Sequence, residues 1–218
     1  MNGQPTIEER VQVIRTVMER AASYRAISAR CALVAGFLST LSAAVIYLNE
    51  ETRFTLGRSI RPRDFATIWV DVLLVSVATT IFFIWLEARR SAWPFFSAEL
   101  RLVLGQIAPY LLIPAAFTGW FFSTGYLGAQ ELNLVVVWIA FYGLSLLSTA
   151  LLAPRSLVLL GWAFLLTGLS VPVITNLFES NFSFSIPNVL MGVTFGLYHL
   201  IYAVCNWPRK RDTRTDQS

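Results

Sequence analysis

Residues 157–178 read LVLLGWAFLLTGLSVPVITNLF, an apolar run without a charged side chain. A helix needs ~20 predominantly apolar residues to cross a bilayer, so this run predicts a transmembrane helix. Five other runs share its length and apolar character, which makes the lipid bilayer the solvent for most of the chain. The six predicted spans are 31–48, 66–86, 102–122, 132–153, 157–178 and 189–207.

The composition of the chain agrees with a membrane protein. Hydrophobic residues make up 56% of the 218 residues and charged residues 14%, against ~45–50% and ~25% in soluble domains. The mean hydropathy is +0.59. We therefore expect an all-α fold, a polytopic membrane helical bundle of six transmembrane helices preceded by an N-terminal amphipathic helix. The predicted divisions are a cytoplasmic helix over 1–30, a transmembrane domain over 31–207 and a basic cytoplasmic tail over 208–218.

The segment before the first span predicts a helix and not a cleaved signal. Roughly thirty polar and charged residues precede an apolar run that exceeds the 7–15 residues of a signal-peptide core. Thr6 and Glu9 have capping-box spacing, and Ile7, Val11 and Ile14 fall on one arc of the helix. Such a helix can lie on the membrane surface, pack under the bundle or contact a partner protein.

The distribution of basic residues predicts the orientation. Thirteen Lys and Arg residues fall in the N-terminal segment, the second and fourth loops and the C-terminal tail, and four fall in the first loop. The positive-inside rule then places both termini in the cytoplasm. The exception is the first loop, which contains Arg53, Arg58, Arg61 and Arg63.

Several functional classes find no support in the sequence. The net charge of +4 comes from basic residues beside the spans, where they set topology, so no nucleic-acid partner is expected. Two cysteines and one histidine on separate helices do not resemble a zinc site, and we expect no cofactor. Because no catalytic motif is present, the chain is not expected to be an enzyme.

Asp71 and His199 are the ionisable residues inside the predicted spans, and Tyr202 lies one turn beyond the histidine. Such residues are costly in a bilayer and often functional. Asp71 either pairs with an arginine of the first loop or lines a path for ions or protons. His199 is a neutral histidine hydrogen-bonded across a helix interface, a proton relay or ligand-binding group, or a metal or haem ligand. These three residues form the candidate intramembrane polar site.

Small residues in the sixth span predict close helix packing. Gly192 and Gly196 form a G-x-x-x-G pair, which lets two helix backbones approach each other. Regular α-helical spacing from this pair continues to His199 and Ala203. The sequence thus predicts that the histidine shares the packing face of the two glycines.

Prolines interrupt the third span at Pro109 and Pro114. Proline kinks membrane helices and frees backbone carbonyls, which can shape a cavity. Many transporters contain such breaks in two repeated halves. The prolines of the first three and last three spans do not align, so a transporter built from two repeats is not favoured.

Short motifs along the chain resemble a family of membrane proteins. They are MERA at 18–21, YRAIS at 24–28, AG at 35–36, FYGL at 141–144 and GLYHLIY at 196–202. Together they resemble an uncharacterised family of small six-span bacterial inner-membrane proteins, whose last motif continues with glycine where this chain has Ala203. The resemblance implies a bacterial inner membrane and an unknown function, and it carries over no catalytic residue.

Two functional hypotheses follow from the sequence. The first is a non-enzymatic accessory or signalling module that contacts a protein partner through its N-terminal helix. The second is a small transporter or channel with Asp71 and His199 lining a polar path. The sequence does not define an oligomeric state.

Overall fold

A computed structural model describes residues 27–49, 62–91, 98–124, 131–151, 153–177 and 186–207. These residues form helices and short turns without a strand, and six helices are long and apolar enough to cross a membrane. The predicted all-α membrane bundle is therefore confirmed. The helices are α1 (Ile27–Asn49), α2 (Pro62–Ser91), α3 (Ala98–Thr124), α4 (Glu131–Ser148), α5 (Arg155–Leu177) and α6 (Ile186–Cys205). The amphipathic part of the predicted N-terminal helix and the tail over 208–218 lie outside the described residues.

The fourth helix is shorter than its apolar run. The sequence predicts a span to residue 153, but α4 ends at Ser148. The chain then turns, with the Thr149 amide donating to the Leu146 carbonyl at 3.2 Å and the Ala153 amide donating to the Thr149 carbonyl at 2.9 Å. Pro154 follows this turn and cannot continue a helix, because it has no amide hydrogen to donate.

Two of the helix pairs approach so closely that a side chain would not fit between their backbones. In the first pair, a Cβ atom added to Gly143 would lie 2.6 Å from the Leu165 amide nitrogen and 2.8 Å from the Gly161 carbonyl oxygen. Gly168 meets Ala140 in the same manner further along. We call these residues the α4–α5 seam: Ala140, Gly143, Gly161, Leu165 and Gly168. Its close approach is the type of contact through which membrane helices associate.

The second close pair joins the first and last helices. A Cβ atom on Gly36 would lie 2.9 Å from the Leu200 amide nitrogen, and one on Gly196 would lie 2.5 Å from the Thr40 hydroxyl oxygen. The α1–α6 seam consists of Gly36, Thr40, Ala43, Gly192, Gly196 and Leu200. Residue numbers rise on one helix as they fall on the other, so the two helices are antiparallel.

A continuous apolar core lies between these pairs. It includes Trp69 of α2, Ile139 of α4, Phe164 of α5 and Met191 of α6. A smaller cluster of Ala66, Phe121 and Leu134 joins α2 and α3 to α4.

α2 and α3 lie at the periphery of the bundle. Within their spanning stretches, 11% of α2 and 6% of α3 is buried, against 39% of α6. The described buried side chains of α2 are confined to its first third, at Phe65, Ala66, Trp69 and Val72. These two helices therefore expose broad apolar faces to the bilayer.

Candidate intramembrane polar site

The sixth helix changes its hydrogen-bonding pattern before the candidate histidine. It is α-helical to Met191, π-helical over Gly192–Tyr198 and α-helical again from His199. A π-helix bonds residue i to i+5 and is uncommon in proteins, where it often marks a functional site. The wider turn alters which residues share a face of the helix.

This change turns His199 away from the glycines. Gly192 and Gly196 face Ala43 and Thr40 of α1, whereas the His199 ring faces Tyr142 of α4. The predicted common face assumed a regular α-helical period throughout. That assumption fails because the π-helical segment contains both glycines and ends immediately before the histidine.

His199 is held by a hydrogen bond between helices. Its Nε2 atom lies 2.8 Å from the hydroxyl of Tyr142, and its side chain is buried. The Nδ1 atom is buried and has no hydrogen-bond partner among the described residues.

Aromatic rings surround the pair. Phe164 is fully buried, with ring centroids 4.8 Å from Tyr142 and 5.4 Å from His199. Phe195 stacks on the imidazole at 6.2 Å, with an interplanar angle of 13°. Tyr198 closes the cluster, and its hydroxyl lies 3.0 Å from that of Thr167. The polar atoms of the cluster thus sit among apolar ring faces.

Tyr202 and Ala203 occupy the same helix one turn further. The Tyr202 side chain is buried, and its hydroxyl lies 3.0 Å from the Ser28 hydroxyl on α1. Ala203 is fully buried. Beyond them the Ser156 hydroxyl donates to the Asn206 side-chain oxygen at 2.7 Å. Polar contacts therefore connect α6 to α1, α4 and α5 at successive levels.

Asp71 lies apart from this cluster. Its side chain is exposed on α2, and the contacts found for His199 come from α4, α5 and its own helix. An open groove of about 470 Å³ between α1 and α2 is lined by Leu41, Ser42, Val45, Ile46, Asn49, Asp64 and Ile68. That lining includes neither Asp71 nor His199, so the groove does not join the two.

Sequence reasoning missed the partners of the histidine. In the sequence, Tyr142 belongs to a family-like motif, and no motif marks Phe164 or Asn188. Tyr142 carries a signal that was available, because a tyrosine in the middle of an apolar span needs a hydrogen-bond partner. Asn188 gives a similar signal; it is buried and donates from Nδ2 to the Ala43 carbonyl at 2.8 Å.

Over the described ranges, no three His, Cys, Asp or Glu side chains cluster as metal ligands would. The hydrogen bond between Tyr142 and His199 instead joins α4 to α6, as structural polar contacts in membrane bundles do.

No protein family, curated protein or solved structure matches this chain.

Proposed function

We propose that this integral membrane protein is a non-enzymatic accessory or signalling subunit that associates laterally with another membrane protein. The observation that carries the proposal is the uneven packing of the six helices. α1, α4, α5 and α6 form close seams, whereas α2 and α3 bury little of their length. The loosely packed side is the natural place for the helices of a partner.

The outward face of α3 supports this assignment. Gly105 and Gly119 have open space where a Cβ atom would stand, while Gly36, Gly143, Gly161, Gly168, Gly192 and Gly196 all meet a neighbouring helix. Leu112 lies on the same face and is 67% exposed. Small residues on a membrane helix allow close approach of a second helix, and here that approach is available from outside the bundle.

The interior of the bundle favours a packing role over chemistry. His199 and Tyr202 hydrogen-bond to Tyr142 and Ser28 across helix interfaces. Transport along a path through Asp71 and His199 has no support in these contacts, since Asp71 is exposed on α2 and the groove between α1 and α2 is lined by neither residue. The polar groups therefore support a stable scaffold for association.

The proposal has two further parts that come from the sequence. The amphipathic helix predicted within residues 1–30 provides a second contact with the partner, at the cytoplasmic surface. The positive-inside distribution and the family resemblance support a bacterial inner membrane with both termini in the cytoplasm.

Site-specific photo-crosslinking tests the association. A benzophenone amino acid replaces Leu112 on α3 or, as the matched control, Leu166 on α5, which is 58% exposed. Both sites are apolar, exposed and within a span. We expect a discrete protein adduct from position 112 only. The crosslinked protein should also co-purify with this protein in mild detergent. Equal adducts from both sites, or lipid adducts alone, contradict the proposal.

A further inference from the structure

The C-terminal end of α2 holds an arginine against a tryptophan. The Cζ atom of Arg89 lies 4.0 Å from the centroid of the Trp85 ring, close enough for a cation–π contact. Trp85 precedes Arg89 by four residues, or roughly 6 Å along the helix axis at 1.5 Å per residue. The guanidinium therefore lies closer to the bilayer centre than its own Cα atom does, at the level of the indole.

This level is that of the lipid headgroups. Tryptophan is enriched where membrane and water meet, because its ring is apolar and its N–H is polar. Trp85 is 38% exposed, and it lies within the last two turns of the span Asp64–Arg90. The Arg89 guanidinium is thus placed beside the phosphate groups of the surrounding phospholipids.

The stack on Trp85 leaves the N–H groups of Arg89 directed outward. A guanidinium is planar, so its face contacts the indole while its N–H bonds point away from its edges. Such an edge matches two oxygens of one phosphate. Arg90 adds a second positive charge in the same last turn, and both arginines are exposed. Glu87 is two residues from Arg89, a spacing that places the two side chains on different faces of the helix.

The predicted cytoplasmic side of the protein, where these arginines lie, has a surplus of positive charge. The N-terminal segment, the second and fourth loops and the C-terminal tail contain thirteen basic residues and seven acidic ones. The surplus persists however these acidic residues are paired, and it attracts negatively charged lipids. A zwitterionic phospholipid gains less, because its headgroup also carries a positive charge.

An apolar lane leads from Arg89 into the bilayer. Ala78, Phe82 and Trp85 share the face of Arg89 by helical spacing, and all of them are exposed. The ring centroids of Phe82 and Trp85 are 6.1 Å apart, so aromatic surface continues below the arginine. An acyl chain whose phosphate is at Arg89 runs along this lane.

We propose that Arg89, Arg90 and Trp85 form a binding site for an anionic phospholipid. The arginines bind the phosphate, and one acyl chain packs along the lane over Phe82 and Ala78. This site goes beyond the proposed function, because its ligand is a lipid and it lies on α2. A lipid held there packs against the part of α2 whose described side chains are not buried.

Native mass spectrometry tests the site. The full-length protein is purified in mild detergent and supplied with equal amounts of phosphatidylglycerol and phosphatidylcholine. We expect the unmodified protein to retain phosphatidylglycerol in preference. Arg89→Gln should lower this preference about tenfold, because it removes charged hydrogen bonds to the phosphate. Trp85→Leu should lower it about threefold, and it keeps every charge that sets the topology.

Arg155→Gln and Trp162→Leu are the matched controls. Both residues are exposed at the same predicted side of α5, and both variants should leave the preference unchanged. The inference is overturned if the unmodified protein retains the two lipids equally, or if neither Arg89→Gln nor Trp85→Leu changes the preference. An equal loss from Arg155→Gln overturns it as well, since the attraction would then be diffuse.

Competition with inorganic phosphate separates a lipid site from a phosphate site. Phosphate alone should not displace the lipid, because it lacks the acyl chain that packs on Phe82. Displacement by phosphate would overturn the inference. Failure of the lipid site leaves the crosslinking from position 112 unaffected, so the proposed function is judged separately.

Discussion

At the scale of single residues, the hydrogen bond between Tyr142 and His199 is the clearest polar contact between two helices of the bundle. It joins α4 to α6 at 2.8 Å inside a cluster of aromatic rings. In a bilayer such a bond contributes only ~0.6–1.7 kcal/mol, since the separated helices also find polar partners. Its main effect is to orient the two helices, because an unpaired imidazole nitrogen among phenyl rings is unfavourable.

Tyr142→Phe tests this bond. We expect the free energy of unfolding to fall by about 1 kcal/mol, because Nε2 of His199 loses its hydrogen-bond partner while the ring packing is retained. Unfolding in mixed micelles measures the change. Tyr47→Phe is the control; Tyr47 is half exposed on α1, and its loss should cost under ~0.5 kcal/mol. A double-mutant cycle with His199→Leu that gives no coupling would contradict the interpretation.

Thr118 connects the proline-containing helix to its neighbour. Its hydroxyl donates to the Pro114 carbonyl at 2.6 Å and accepts from the Trp138 indole at 2.9 Å. Thr118→Val should destabilise the protein by about 1 kcal/mol, since it leaves the Trp138 N–H without an acceptor. Thr124→Val serves as the comparison, because the described hydrogen bond of the Thr124 hydroxyl goes to the Trp120 carbonyl of its own helix. Equal effects of the two variants on unfolding would show that Thr118 does not hold α3 against α4.

At the scale of helices, the glycines divide into two groups by what surrounds them. Gly143 of the α4–α5 seam meets backbone atoms of α5, which cannot move aside as a flexible side chain can. Gly105 of α3 has no neighbouring atom within 4 Å of a would-be Cβ. The same substitution at these two sites therefore has opposite consequences.

Gly143→Ala should lower the free energy of unfolding by about 1–3 kcal/mol, the usual cost of overpacking. Gly105→Ala should be neutral or stabilising by up to ~1 kcal/mol, since alanine is the better helix former. Thermal unfolding of both variants in the same detergent provides the measurement. A stable Gly143→Ala protein would mean that α4 and α5 can separate without loss of stability.

The helices differ in how much of them the sequence could predict. Their number and approximate positions followed from the lengths of the apolar runs, because a bilayer imposes that length. The end of α4 could not be predicted in this way, since residues 150–153 are apolar and Pro154 comes only after the turn. The helix that the His199 side chain faces could not be predicted either, because the hydrophobicity pattern does not encode a π-helical turn. Finding Tyr142 as its partner required the packing of α4 against α6.

At the scale of the whole molecule, orientation in the membrane is the property that most affects the proposals. The turn between α4 and α5 offers a direct probe, since Leu151 is 96% exposed there. The positive-inside rule assigns this turn to the cytoplasm.

Leu151→Cys, in a background with Cys31 and Cys205 replaced by serine, should react with a membrane-impermeant maleimide only after the membrane is permeabilised. Gly128→Cys, in the predicted external loop before α4, should react in intact cells. Labelling is quantified by the mass of the protein. Reaction of position 151 in intact cells would show that the predicted topology is inverted. The N-terminal helix would then lie at the external surface and not at the cytoplasmic one.

The α1–α6 seam has a consequence for how the molecule is made. Ser28 and Tyr202, which meet at one end of this pair, are 174 residues apart in the chain. α1 is synthesised before α6, so its small-residue face acquires this partner only after α6 has been made. A ribosome that stops before residue 186 leaves Gly36 and Thr40 without the α6 backbone that they contact. Closure of this seam therefore reports that translation has passed α6.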